Sequence, residues 1–177
     1  NCSATQLTMA LKPLHDAFGL RKVSVVTMQA ISGAGYPGLP AADIMDNVVP
    51  FIAGEEDKLE NEPRKLLGEL EDGAIVKAPF DVSAQCNRVP VRDGHTECVS
   101  VQLARTAHVD ELIDALRGFE ATDEVSELPS SPLHPILVSD APNRPQPLRD
   151  RDAGEGMCIT VGRVRPCSTL DFKFVVL

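Results

Sequence analysis

Ser83-Ala-Gln-Cys-Asn-Arg-Val-Pro-Val-Arg-Asp-Gly-His-Thr-Glu-Cys-Val-Ser-Val-Gln-Leu103 is the stretch that decides the fold class. Residues 83–91 and 96–103 both read as strands. Asp93-Gly94 between them is the strongest local hairpin signal in the chain. On the N-terminal side, Leu7, Leu11, Leu14 and Phe18 recur at three- and four-residue steps. They predict a helix over 3–18, stopped by Gly19 and kinked or split at Pro13. Residues 22–28 predict a strand, Gln29–Gly38 a structured loop, and 57–70 a helix in spite of Pro63. On the C-terminal side, Val109–Phe119 predicts a helix. Residues 120–156 hold at most a short strand at Ile136–Val138, and Met157–Arg165 and Asp171–Leu177 predict two more strands. Strands outnumber helices and do not alternate with them one for one. The reading is therefore α+β with a mixed, mostly antiparallel sheet and no internal repeat. Val23–Met28 and Met157–Val164 are apolar enough to suit a sheet buried on both faces.

A chain of 177 residues, 43% hydrophobic, can bury one core, and residues 1–177 read as one domain. Only 4% is aromatic, so that core is aliphatic. A net charge of −9 with scattered Lys and Arg argues against nucleic acid as a partner. No apolar run reaches the length of a membrane span, and no signal-peptide pattern opens the chain. Five cysteines, without a Cys-x-x-Cys pair, fit neither a disulfide framework nor a metal site. They point to a reducing, cytoplasmic setting. The start at Asn1 reads as a fragment or a processed product.

Cys2 opens the first predicted helix, where unpaired N–H groups and the helix dipole favour a thiolate, the form that attacks a carbonyl. His95 offers an acid/base group at the end of the predicted hairpin. Each alone is more often a terminal Cys or an exposed turn His. His15, His108 and His134 read as structural or solvated. Arg88, in an otherwise apolar strand, needs an anionic partner if it points inward, and a carboxylate held by two hydrogen bonds would serve. Glu55, Glu56 and Lys58 start a helix after Gly54, which by itself is ordinary first-turn chemistry. Gln29 ends a strand at the mouth of the loop Ile31-Ser-Gly-Ala-Gly35. That loop is neither a dinucleotide fingerprint nor a P-loop, and no such fingerprint occurs in the chain.

Five segments taken together resemble aspartate-semialdehyde dehydrogenases, most closely the fungal and archaeal branch. They are Asn1-Cys2-Ser3, Thr27-Met-Gln29-Ala-Ile-Ser-Gly-Ala-Gly-Tyr-Pro-Gly38, Gly54-Glu-Glu-Asp-Lys58, Arg88-Val-Pro-Val-Arg-Asp-Gly-His95, and Asp152-Ala-Gly-Glu-Gly-Met157 with Val161-Gly-Arg-Val164. The resemblance covers nearly the whole chain and implies a C-terminal catalytic and dimerisation domain like that of glyceraldehyde-3-phosphate dehydrogenase. The implied fold has helices on one face of the sheet and a second subunit on the other, as a homodimer or a dimer of dimers. The implied reaction is NADPH-dependent reductive dephosphorylation of aspartyl phosphate to aspartate semialdehyde, the route to lysine, methionine, threonine and isoleucine. Cys2 would form a thioester and His95 would shuttle protons, first relieving Cys2 of its proton. Gln29 would orient the substrate, Arg88 would hold its carboxylate and Glu55 its amino group. Lys58 and Asn1 would bind phosphate. The NADP-binding Rossmann domain would lie outside this chain, so the chain alone is expected to fold and self-associate without turnover. A related thiol acyl-phosphate reductase, such as N-acetyl-glutamyl-phosphate reductase, and a non-catalytic dimerisation module are the alternatives.

Overall fold

Leu7, Leu11 and Leu14 are fully buried along one stripe of the first helix, α1 (Cys2–Phe18), which is the centre of the core. A computed structural model describes all of residues 1–177. Asn1 caps α1 by accepting a hydrogen bond from the Ala4 N–H (3.0 Å), and Gly19 ends it with φ 68°. The helix runs through Pro13 as one element and is not split into two short helices. The proline sits on the buried side, where leucine packing outweighs the lost backbone hydrogen bond.

The remaining elements follow in order. Strand β1 is Leu20–Gln29, α2 Ala41–Ile44 and α3 Glu55–Leu66. Strands β2 (Glu69–Glu71), β3 (Ala74–Val76), β4 (Asp81–Arg88) and β5 (Thr96–Leu103) come next. They are followed by α4 (Val109–Arg117), α5 (Asp123–Ser126), β6 (Ile136–Ser139), α6 (Pro147–Asp150), β7 (Ile159–Pro166) and β8 (Phe172–Val176). Six strands form one sheet in the order β4-β1-β5-β8-β7-β6. β1–β4 and β6–β7 are parallel pairs and the other three are antiparallel, the mixed, mostly antiparallel α+β sheet expected. Helices α1, α3 and α4 pack together on one face.

The predicted hairpin between 83–91 and 96–103 does not exist. β4 and β5 lie on opposite sides of β1, one parallel to it and one antiparallel. Asp93-Gly94 therefore turns a crossing connection over the end of β1. The hairpin that does form is β2–β3, closed by Asp72 (φ 48°) and Gly73 (φ 80°). Two consecutive left-handed residues are what a tight two-residue hairpin turn requires, and at 93–94 only Gly94 has positive φ. The helix expected over 57–70 ends at Leu66, because residues 69–71 enter this hairpin.

Within one chain, the face of the sheet away from the helices is open along β1. In β1, Val23, Val25 and Thr27 face the helices, while Lys22, Ser24 and Val26 are exposed on the opposite side. The Cys86–Arg88 end of β4 is covered on both faces, and so is the Ile159–Gly162 end of β7. There the connection before α6 crosses so closely that a Cβ on Gly162 would lie 2.3 Å from the Arg144 carbonyl oxygen. Twenty-four buried residues form one contiguous core.

Candidate active site

Four elements end at one corner of the sheet. These are the N-terminus of α1, the C-terminal ends of the parallel strands β1 and β4, and the chain entering β5. The N-terminus of α3 closes the corner from the side. Cys2 lies exposed on the first turn of α1, and its Sγ is 3.1 Å from His95 Nε2, although the two residues are far apart in sequence. The other ring nitrogen, Nδ1, accepts a hydrogen bond from the Ala30 N–H at 3.0 Å. A backbone donor cannot share Nδ1 with a ring proton, so the neutral ring carries its proton on Nε2, facing the sulfur. Gln6, one turn along α1 from Cys2, donates from Nε2 to the His95 carbonyl at 3.0 Å. His95 is thus held from three sides. Burial and the neighbouring Arg88 guanidinium push its pKa below the ordinary value, with Glu55 opposing.

Arg88 is 6% exposed and donates from one terminal nitrogen to the Ala30 carbonyl at 2.7 Å. It has no carboxylate partner in the fold. A largely buried guanidinium with donors to spare is suited to an incoming anion. Gln29 (2% exposed) lies beside it. The Gln29 amide Nε2 is 3.3 Å from Thr27 Oγ1 and 3.4 Å from Glu55 Oε1. Glu55 also accepts from Asn1 Nδ2 at 2.5 Å, so Asn1 both caps α1 and ties it to the start of α3. The structure brings Glu55 to this cluster. Glu56 turns the other way, accepting from the Cys86 backbone N–H at 3.0 Å. Lys58 lies one turn further along α3, exposed and without an ion pair or hydrogen bond.

Of the residues singled out in the sequence, Asn1, Cys2, Gln29, Glu55, Arg88 and His95 therefore meet, and Lys58 makes no contact with them. His15 packs against Phe80 with ring centroids 5.8 Å apart, and the His108 backbone N–H donates to Glu111. Sequence reasoning missed Ala30, whose backbone N–H and C=O hold His95 and Arg88, because main-chain contacts leave no side-chain signal. It also missed Gly33. A Cβ there would sit 2.8 Å from an Arg88 terminal nitrogen and 2.9 Å from His95 Nε2. The loop Ile31–Gly35 lies on the surface directly over both residues, anchored by Ile31 N–H to Val91 O at 2.8 Å. On the other side of the Cys2–His95 pair is a cavity of about 330 Å³, with Gln6, Met9, Arg151 and Met157 in its wall. No group of three or more His, Cys, Asp or Glu side chains converges anywhere to hold a metal. No helix is long and apolar enough to cross a membrane.

A thiol and an imidazole are thus in contact beside a buried arginine that has no carboxylate partner. Residues 11–177 match the family described as "Semialdehyde dehydrogenase, dimerisation domain", and the chain belongs to that family. The aspartate-semialdehyde dehydrogenase of Archaeoglobus fulgidus is 52% identical over 177 residues, all of this chain and 50% of that protein. That of Methanothermobacter thermautotrophicus is 50% identical over 165 residues, 93% of this chain and 48% of that protein. The crystal structure of the Candida albicans aspartate semialdehyde dehydrogenase with NADP superposes with a TM-score of 0.91 at 45% identity. It covers 99% of this chain and 50% of that one. The chain spans about half the length of the curated relatives it matches.

Proposed function

We propose that this chain is the catalytic and dimer-forming half of an NADP-dependent aspartate-semialdehyde dehydrogenase. In this reading it converts L-aspartyl 4-phosphate to L-aspartate 4-semialdehyde in the cytoplasm, on the route to lysine, methionine, threonine and isoleucine. The observation that carries the reading is the 3.1 Å contact between Cys2 Sγ and His95 Nε2 beside an Arg88 with free donors. The substrate has a carboxylate, an ammonium and an acyl phosphate. Arg88 clamps the carboxylate, Glu55 accepts from the ammonium, and Gln29 orients the chain between them. The second hydrogen of Asn1 Nδ2 and the exposed Lys58 ammonium take the phosphate.

The Cys2 thiolate attacks the acyl carbon, the C–O bond to phosphate breaks, and a thioester forms. When bound, NADPH supplies the hydride that reduces this thioester. The Nε2–H of His95 hydrogen-bonds the oxyanion that forms on the former acyl carbon, which collapses to the aldehyde as the C–S bond breaks and the Cys2 thiolate leaves. The tautomer fixed by Ala30 favours this donating role. The small-residue loop Ile31–Gly35 leaves an open surface beside Cys2 for a flat ring. No glycine-rich phosphate-binding turn occurs among these residues, so the rest of the dinucleotide is held outside them.

On this reading iodoacetamide alkylates Cys2 faster than Cys86, Cys98 or Cys158 at about pH 6, and phosphate with aspartate semialdehyde slows that reaction. Equal labelling of Cys2 and Cys98 without protection would overturn it. The 177-residue chain alone gives no turnover with NADP, phosphate and semialdehyde, and full-rate turnover would refute the placement of the dinucleotide site.

A further inference from the structure

Glu97 stands two residues after His95 on β5 and is 0% exposed, yet neither of its carboxyl oxygens has a hydrogen-bond partner. The strand alternation places it on the same side as Val99, Val101 and Leu103, facing α1. No cation faces it. Its register neighbours are Thr27 on β1 and Val176 on β8. From α1 comes Gln6, whose amide faces the carboxyl without closing a hydrogen bond to it. The nearby titratable groups are Cys86 on β4, with Glu55 and Glu56 beyond it, and none is positive. Ser3, beside Cys2 on the buried side of α1, also has an unpartnered hydroxyl at 0% exposure. A lone carboxylate in such a place is costly, and the group neutralises instead.

We infer that Glu97 is a positioning residue, a neutral carboxylic acid that braces Gln6 and through it holds the His95 carbonyl and the first turn of α1 around the Cys2–His95 pair. The inference rests on the thiol chemistry proposed above. Gln6 is the link, because its Nε2 donates to the His95 carbonyl at 3.0 Å and its amide lies near enough for the protonated Glu97 carboxyl to close the hydrogen bond that the structure leaves open. An acid with no charge stiffens this joint without repelling a thiolate on the turn above it. Burial raises the Glu97 pKa well above its ordinary value. The native state therefore holds a proton that the unfolded chain gives up above about pH 4.5. Stability from this group is present below that pH and is lost as pH rises toward the raised value.

Two substitutions in the 177-residue chain test the proposal, read by iodoacetamide labelling of Cys2 against Cys98 and by denaturant unfolding across pH. Glu97→Gln keeps the polar brace and needs no proton. It should leave Cys2 labelling within about threefold and gain stability over the unmodified chain as pH rises above 4.5. Glu97→Leu removes the brace and should slow Cys2 about tenfold while Cys98 is unchanged. Unaltered Cys2 labelling in Glu97→Leu would reduce Glu97 to a space filler and overturn the proposal. So would a Glu97→Gln variant with no pH-dependent gain, the signature of an ionised carboxylate. If Glu97→Leu does not fold, the pH profile of Glu97→Gln decides alone. Cys2 no faster than Cys98 in the unmodified chain overturns instead the thiol chemistry on which the inference rests.

Discussion

His95 sits between a backbone donor, a sulfur and a guanidinium, and that position decides how it titrates. Burial first, then Arg88, lowers its pKa below the ordinary 6.5. Between the lowered value and 6.5 the unfolded chain binds more protons than the native state. The stability contributed by the neutral ring is complete above 6.5 and is lost as pH falls through the lowered value. His95→Asn should therefore flatten the loss of unfolding free energy on acidification from about pH 7 to about pH 5, a window set by the ordinary pKa of histidine. An identical slope in both proteins would show that His95 titrates as a free side chain. Gly33 acts at the same scale. Gly33→Ala would force its methyl group against Arg88 and His95. In the intact enzyme it should lower kcat/KM about a hundredfold, because small displacements of reacting groups are that costly.

Elements meet through two kinds of contact, and each gives a prediction. Leu11 on α1 is fully buried in the centre of the core. Leu11→Ala should cost about 2–5 kcal/mol in chemical denaturation, through lost burial and the cavity it leaves. Gly162 on β7 is there because the connection carrying Arg144 crosses over it. That connection is pinned by the ion pair between Arg144 and the buried Asp150, whose carboxyl is held below its usual range chiefly by the Arg144 hydrogen bond. Gly162→Ala should destabilise by about 1–3 kcal/mol, read as a shifted denaturation midpoint with an unchanged slope. A neutral result would mean that the crossing segment yields freely.

The whole molecule leaves one sheet face without helices. Val26 on β1 is 39% exposed, pairs in register with the exposed Cys98, and Cys98 pairs in turn with Val175. Apolar side chains in the middle of an uncovered sheet agree with the "dimerisation domain" description of the family. In the proposed homodimer a second copy covers this face. Val26→Glu should then shift the protein from dimer to monomer in light scattering while the unfolding cooperativity persists. A dimer of unchanged mass would place the subunit contact elsewhere.

Sequence periodicity by itself determined the α+β class, the stripe of α1, and most strand positions, because buried side chains repeat every two or three to four residues whatever they pack against. Five spaced segments were likewise enough to nominate Cys2, Gln29, Glu55, Arg88 and His95. Glu97 carried a signal too, a charge on the buried parity of a strand, but its meaning depends on which helix covers it. Only the tertiary structure decided that β4 and β5 flank β1 instead of pairing. An Asp-Gly turn reports local chain reversal and not which strand fills the space between the two runs. The site is tertiary for the same reason. The Cys2–His95 contact joins a helix start to a strand entry, and the Ala30 backbone that holds His95 and Arg88 can be recognised only when those chains already lie side by side.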